Sequence, residues 1–210
     1  MSLTPRAQDL RDWIGRHLDP LEDRDPVDGV RLGADDGRLL SQPPTPAAVL
    51  IGLVERPAGY NVLLTRRADT LRSHGGQVAF PGGRRDPGET IWETALREAE
   101  EEVGLDRRFV SVAGLSTPML THSGYLITPV VGFVDEGFEL AANPHEVAEI
   151  FETPFGFLMN PENYGRHEID IGDGTIRHYY EMTHEEQRIW GVTAGILRAL
   201  YERLYGAALS

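Results

Sequence analysis

The sequence predicts an α/β (α+β) fold, a mixed β-sheet with helices on its faces, from three observations. Short apolar runs of strand length are interleaved with longer segments of helical period, turn residues punctuate them at close intervals, and there is no internal repeat. Thr4-Pro5 ahead of Leu10, Trp13, Ile14, His17 and Leu18 reads as a short amphipathic helix with proline in its first turn. From Asp19 to Pro46 the apolar content falls while Asp, Gly and Pro accumulate, which is the composition of an extended acidic arm. The expected division is therefore helix and linker arm over residues 1–46 and a folded domain over 47–210. Ala47–Val54 and Tyr60–Thr65 read as an antiparallel hairpin around a five-residue loop, Glu55-Arg56-Pro57-Ala58-Gly59. After a Gly-rich stretch from Gly75 to Gly88, Thr90–Val103 reads as a helix, with Thr90 and Glu93 as its capping box and Gly104 as its stop. Val110–Leu115, Ile127–Val134 and Val147–Phe151 read as strands, and Arg166–Tyr180 as a second hairpin broken at Gly172-Asp173-Gly174. Ile189–Leu204 closes the chain as a helix whose Ile189, Trp190, Ile196, Leu197, Leu200 and Leu204 face the core.

Composition removes whole reaction classes. The chain has 210 residues, a formal charge of −13, and 20 basic residues that are all arginine. Without lysine there is no Schiff base and no P-loop lysine on a nucleotide phosphate. Without cysteine there is no thiol nucleophile, disulfide, zinc ribbon or iron–sulfur cluster. The acidic balance argues against nucleic acid or an anionic membrane as partner, while a local arginine cluster or a bound cation still admits a phosphate substrate. No apolar stretch approaches the roughly 20 residues of a membrane span, and Met1 to Gln8 lacks a signal-peptide core, so the cytoplasm is the expected compartment.

The most informative segment is Arg97-Glu98-Ala99-Glu100-Glu101-Glu102-Val103-Gly104. On a helix, Trp92, Ala95, Leu96, Ala99 and Val103 form a stripe about 100° wide that would pack on the sheet. Glu98, Glu101 and Glu102 share the adjoining arc, and Glu100 lies on the other flank. A solvated acidic face is the plain alternative, but carboxylates about 5 Å apart repel by roughly 3 kcal/mol per pair at an effective dielectric near 20. Only Arg97 is basic nearby, and a divalent cation would relieve the repulsion. Oxygen-only ligation completed by water and substrate phosphate suits Mg2+ or Mn2+. Upstream, Gly82-Gly83-Arg84-Arg85-Asp86-Pro87-Gly88-Glu89 can turn tightly, present backbone groups to a ligand and bring two arginine forks near it.

These residues carry a family resemblance. Gly83, five residues, Glu89, seven residues, then Arg97-Glu98-Ala99-x-Glu101-Glu102-x-Gly104-Leu105 resembles a complete Nudix box, the signature of the Nudix hydrolases. The resemblance runs from about Ala47 to the closing helix and implies an α/β/α Nudix sandwich with a mixed β-sheet. It also implies hydrolysis of a nucleoside diphosphate linked to another group, with Glu98, Glu101, Glu102 and the Gly82 carbonyl as metal ligands. Glu89 and Arg97 become a structural pair bracing the loop against the helix. A further catalytic glutamate would come from a later loop, as Glu146 or Glu149, with an exposed loop carboxylate as the alternative.

Substrate choice must come from outside the box. Leu63-Leu64-Thr65-x-Arg67, then Arg72, Gly76 and Phe80-Pro81-Gly82-Gly83, resembles the extra motif of the coenzyme A pyrophosphatase branch, with Ala68 where serine is common. Ser123-Gly124-Tyr125 and Ile189-Trp190-Gly191-Val192-Thr193-Ala194 are similar to that branch too. Arginine forks match phosphate oxygens bidentately. Arg67 and Arg72, with Arg84 and Arg85, are therefore the candidate substrate contacts, and surface ion pairing to Asp69 or Asp86 is the alternative for the first two. The resemblance implies cleavage of coenzyme A or a derivative to 3′,5′-ADP and 4′-phosphopantetheine, the proton going to a carboxylate of the cluster or to Glu146. ADP-ribose, NADH or a nucleoside triphosphate are the alternative substrates, and a non-catalytic nucleotide sensor is the alternative role. The partner expected is a small nucleotide of the coenzyme A class, taken up by a monomer or a homodimer. The arm from Asp19 to Asp36 reads as a solvated linker, with an interaction segment or a dimer contact as the alternatives.

Overall fold

The computed structural model describes residues 7–22, 43–71, 74–170 and 176–206. Its centre is a pair of parallel strands, β1 (Thr45–Arg56) and β7 (Tyr125–Val134), in register from Thr45 opposite Tyr125 to Val54 opposite Val134. A strand covered on both faces needs a nearly continuous apolar run, and both segments supply one. Because side chains alternate, Ala48, Leu50 and Val54 of β1 point to one apolar cluster while Ile51 and Leu53 point to another. β2 (Gly59–Arg67), β3 (Val78–Ala79) and β5 (Val110–Leu115) extend this eight-stranded mixed sheet in the order β3-β2-β1-β7-β5. β4 (Gly82–Arg84), β6 (Met119–Leu120) and β8 (Val147–Pro154) add to β1, β7 and β2 respectively.

The helices cover the two faces. α1 (Ala7–His17) and α4 (Gly191–Tyr205) bury Leu10, Ile14, Leu197 and Leu200 on one side, and α2 (Ile91–Val103) buries Ala95, Ala99 and Val103 on the other. This is the expected α/β/α sandwich with a mixed sheet. The short α3 (Phe155–Leu158) leads to a second, three-stranded antiparallel sheet of β9 (Gly165–Asp170), β10 (Ile176–His184) and β11 (Gln187–Trp190). No helix among the described residues is long and apolar enough to cross a membrane.

Several expected boundaries move. Arg56 pairs with Gly59 and Glu55 with Tyr60, so the hairpin loop is Pro57-Ala58 alone, closed by Gly59 at a φ of 124° that suits glycine. The closing helix begins at Gly191, not Ile189: Ile189 and Trp190 lie in β11 opposite Met182 and Glu181, and Gly191 at a φ of 62° turns strand into helix. On α2 the buried side is rotated toward the carboxylates, taking in Ile91, Thr94 and Glu102 and leaving Trp92 and Leu96 half-buried. The cause is β4 and the loop after it, which lie over that side of the helix. Pro5, most of the acidic arm and the turn at Gly172-Asp173-Gly174 fall outside the described residues.

Candidate active site

Local chemistry fixes α2 at both ends. The Thr90 hydroxyl accepts from the Glu93 amide, the Glu93 carboxylate accepts from the Thr90 amide, and Gly104 closes the helix at a φ of 69°. β4 lies antiparallel to β1, with Gly82 opposite Val49 and Gly83 opposite Ala48. A Cβ on Gly82 would stand 2.7 Å from the Val49 Cα, and one on Gly83 would stand 2.6 Å from the Glu98 Oε1. At Gly82 a side chain would meet the Ala48 and Val49 backbone, and at Gly83 it would have to displace the Glu98 carboxylate, so glycine is what lets the strand reach β1 with that carboxylate in place.

Arg97 is the hub of the loop–helix junction. Its Nε donates to Glu89 Oε1 at 2.7 Å and its Nη2 to Glu89 Oε2 at 3.2 Å, a forked pair. Nη2 also donates to the Arg84 carbonyl at 3.1 Å, which pins the loop directly. Glu89 further accepts from the Thr94 hydroxyl and the Asp86 amide. The Arg97 hydrogen bonds, with those from Thr94 and Asp86, hold the Glu89 carboxyl down to about 2. The two residues thus stand where a loop brace would, joining the loop to the helix.

The carboxylates differ sharply in environment. Glu102 is 3% exposed, and burial pushes its carboxyl up to about 7 although it accepts from the Gly82 amide at 3.2 Å and lies 3.9 Å from Arg67 Nη1. Glu98 is largely buried and raised as well, chiefly by desolvation. Glu101 is exposed and holds Arg97 Nη1 at 3.2 Å, while the same nitrogen donates to Glu98 at 2.9 Å. Glu100, on the opposite flank, pairs with Arg107 at 3.0 Å.

A cleft of about 370 Å3 opens over this junction, and Glu98, Glu102, Glu146, Gly82, Arg67 and Arg84 are on its lining. The Glu146 carboxylate accepts from Asn143 at 3.4 Å and has no arginine partner among the described residues. Glu149 is elsewhere, accepting from Arg66 and Gln187. Arg67 Nε is buried with no hydrogen-bond partner among the described residues. Arg85 follows Arg84 but is not on the lining, and Arg72 falls outside the described residues. Among the described residues no three Asp, Glu or His side chains are already gathered closely enough to hold an ion. Arg97 accounts for part of this, since its Nη1 engages both Glu98 and Glu101. The donors around the cleft are all oxygen, and buried Glu102 lacks a full countercharge, so the donor chemistry fits a hard divalent cation.

The sequence reading missed the far wall, made by Ala47, Val49, Tyr125 and Ile127. Tyr125 lies in a stretch similar to the coenzyme A branch, but nothing local marks the four residues as one wall. They meet because β1 and β7 run parallel, which sets Thr45 beside Tyr125 and Ala47 beside Ile127.

The chain is similar to known proteins of one family. The NUDIX domain profile matches residues 43–171. A Photorhabdus laumondii protein named uncharacterized Nudix hydrolase NudL is 44% identical over 160 residues, covering 75% of this chain and 84% of the relative. Its Yersinia pestis namesake is 46% identical, covering 75% and 79%. Among solved structures, a MutT protein from Methanosarcina mazei aligns with a TM-score of 0.49 at 17% identity, over 82% of this chain and all of that one. The Nudix hydrolase RenU from M. smegmatis aligns with a TM-score of 0.47 at 27% identity, over 62% and 81%.

Proposed function

Since the chain belongs to the Nudix hydrolase family, enzymes that use divalent cations to hydrolyse nucleoside diphosphate derivatives, we propose that its substrate is coenzyme A or a derivative, cleaved to 3′,5′-ADP and 4′-phosphopantetheine. The observation that carries the choice is Arg67. It belongs to the Leu-Leu-Thr-x-Arg stretch that resembles the coenzyme A branch, and it lies on the cleft wall with its Nη1 3.9 Å from Glu102 and its Nε without a partner among the described residues. A diphosphate oxygen in the cleft would take the Arg67 guanidinium as its countercharge.

Glu98, Glu101 and Glu102, with the Gly82 carbonyl, would hold Mg2+ or Mn2+. The cation supplies charge neutralisation of the diphosphate and a more acidic water. The chain's own residues do the rest. Arg67 and Arg84 hold phosphate oxygens, and the Glu89–Arg97 pair keeps the loop registered on α2. Arg85 and Arg72 are assigned outer phosphate contacts on the motif alone. The water oxygen adds in line to phosphorus as the anhydride oxygen leaves, and the water's proton passes to Glu146 or to a carboxylate of the cluster. The apolar wall of Ala47, Val49 and Ile127 shelters the uncharged arm of the substrate.

Incubation with coenzyme A and Mg2+ followed by mass analysis should yield 4′-phosphopantetheine, alongside parallel reactions with ADP-ribose, NADH and nucleoside triphosphates. Turnover of one of those with coenzyme A left intact would replace this substrate with the one consumed.

A further inference from the structure

A second cavity, of about 320 Å3, shares β2 with the cleft: Arg67 lines the cleft, and the preceding residue, Arg66, lines the cavity. Its other walls come from two stretches that the Nudix box does not use. Gly75-Gly76-Gln77 follows β2, and Gln187, Arg188 and Trp190 belong to β11. Hydrogen bonds fix both to the main body. Gly76 donates to the Arg67 carbonyl at 3.0 Å and Arg67 to the Gln77 carbonyl at 2.9 Å, so the loop is clamped to β2 between the two cavities. On the other side, the Thr193 hydroxyl donates to the Val78 carbonyl at 2.8 Å, and Glu149 accepts from both Arg66 and Gln187.

The side chains are pre-organised. The Arg188 guanidinium lies 4.8 Å from the centre of the Trp190 ring and is held by Glu181 at 2.6 Å. The Arg66 guanidinium is held through Nε by Glu149 at 3.2 Å and stands 3.8 Å from Asp69 through Nη1, which leaves Nη2 without a carboxylate partner among the described residues. A guanidinium held over an indole offers a cationic and aromatic surface for a planar base. Gln77 and Gln187 carry amides that can both donate and accept, and Glu186, the carboxylate on the lining, can accept from an exocyclic amine. Two arginine forks then suit a phosphate monoester.

We propose that this cavity binds a nucleoside that carries its own phosphate monoester, with the base on the Trp190–Arg188 stack and the phosphate between Arg66 and Arg188. The identification with coenzyme A rests on the substrate reading above: the ligand is then the adenosine 3′-phosphate end, while the apolar wall of the catalytic cleft takes the pantetheine arm.

The test is calorimetric titration of the full chain with adenosine 3′,5′-bisphosphate and with 5′-AMP, paired with kinetics on coenzyme A and dephospho-coenzyme A. Arg188 is half exposed on β11, so Arg188→Ala should fold normally, which its melting curve checks. It should weaken bisphosphate binding and raise KM for coenzyme A by about tenfold, the value of one charge-assisted hydrogen bond, with kcat nearly unchanged. KM for dephospho-coenzyme A, which keeps the adenine but lacks the monoester, should rise distinctly less, and Arg188→Lys should recover part of the loss. Arg66→Gln should act in the same direction. Bisphosphate affinity unchanged in both variants, or equal effects on the two substrates, would overturn the assignment. If coenzyme A is not cleaved yet bisphosphate binding still depends on Arg188 and Arg66, the cavity stands and the substrate reading fails.

Discussion

Glu102 is held in a state that suits a ligand and harms the fold. A carboxyl raised from 4.5 to about 7 costs the folded protein stability as pH climbs above the unfolded value, and the full cost is present above pH 7. The shift corresponds to about 3 kcal/mol as an upper figure. Glu102→Gln should therefore stabilise the metal-free protein at pH 8 by up to that amount, leave it unchanged near pH 4, and, if Glu102 is the cation ligand proposed above, lower kcat by about a thousandfold. Denaturant titrations at the two pH values, set beside turnover, check this; equal stability at pH 8 would remove the strain at Glu102. The sequence placed Glu98, Glu101 and Glu102 on one arc because helical spacing is a local property. It could not separate them, since burial of Glu102 and exposure of Glu101 depend on β4 crossing over the helix.

At the scale of elements, the loop–helix junction has its own pH signature. The Glu89 carboxyl is depressed from 4.5 to about 2, so its contribution to stability is complete above pH 4.5 and is lost as pH falls toward 2. Glu89→Gln should be less stable than wild type at pH 7 and nearly equal to it at pH 2, with most of the gap closing between pH 4.5 and 2 in acid unfolding curves followed by circular dichroism. A constant gap across that window would assign the loss to packing instead of to the ion pair. Elements with end signals were the legible ones: Thr90, Glu93 and Gly104 set α2 correctly, and β5 falls where its apolar run does. Elements defined by pairing were not. β3, β4 and β6 are two or three residues long and exist because a longer strand lies beside them. Ile189 and Trp190 continue an apolar run into α4, so periodicity alone could not distinguish a strand end from a helix start.

In the whole molecule, α1 is part of the same core as α4. Leu10, Ile14 and Leu18 are buried, Arg203 of α4 donates to the His17 carbonyl, and Asp19 exchanges backbone hydrogen bonds with Leu115 at 2.9 Å. Burial of three such side chains contributes about 5 kcal/mol, comparable with the net stability of a domain. Removal of residues 1–22 should lower Tm by about 10 °C or more in calorimetry. An unchanged melting curve would show that α1 does not seal the core in solution. The central β1–β7 ladder also governs assembly in time. It joins segments on either side of nearly everything that builds the site, since β2, β4 and α2 all lie between them in the chain. Closing so long a loop is slow, with folding of non-local sheets in the millisecond to second range. Gly83 is placed by β1, and the far wall by β7, so a nascent chain has no working cleft until that late closure, and recovery of turnover on refolding should coincide with the last structural phase rather than precede it.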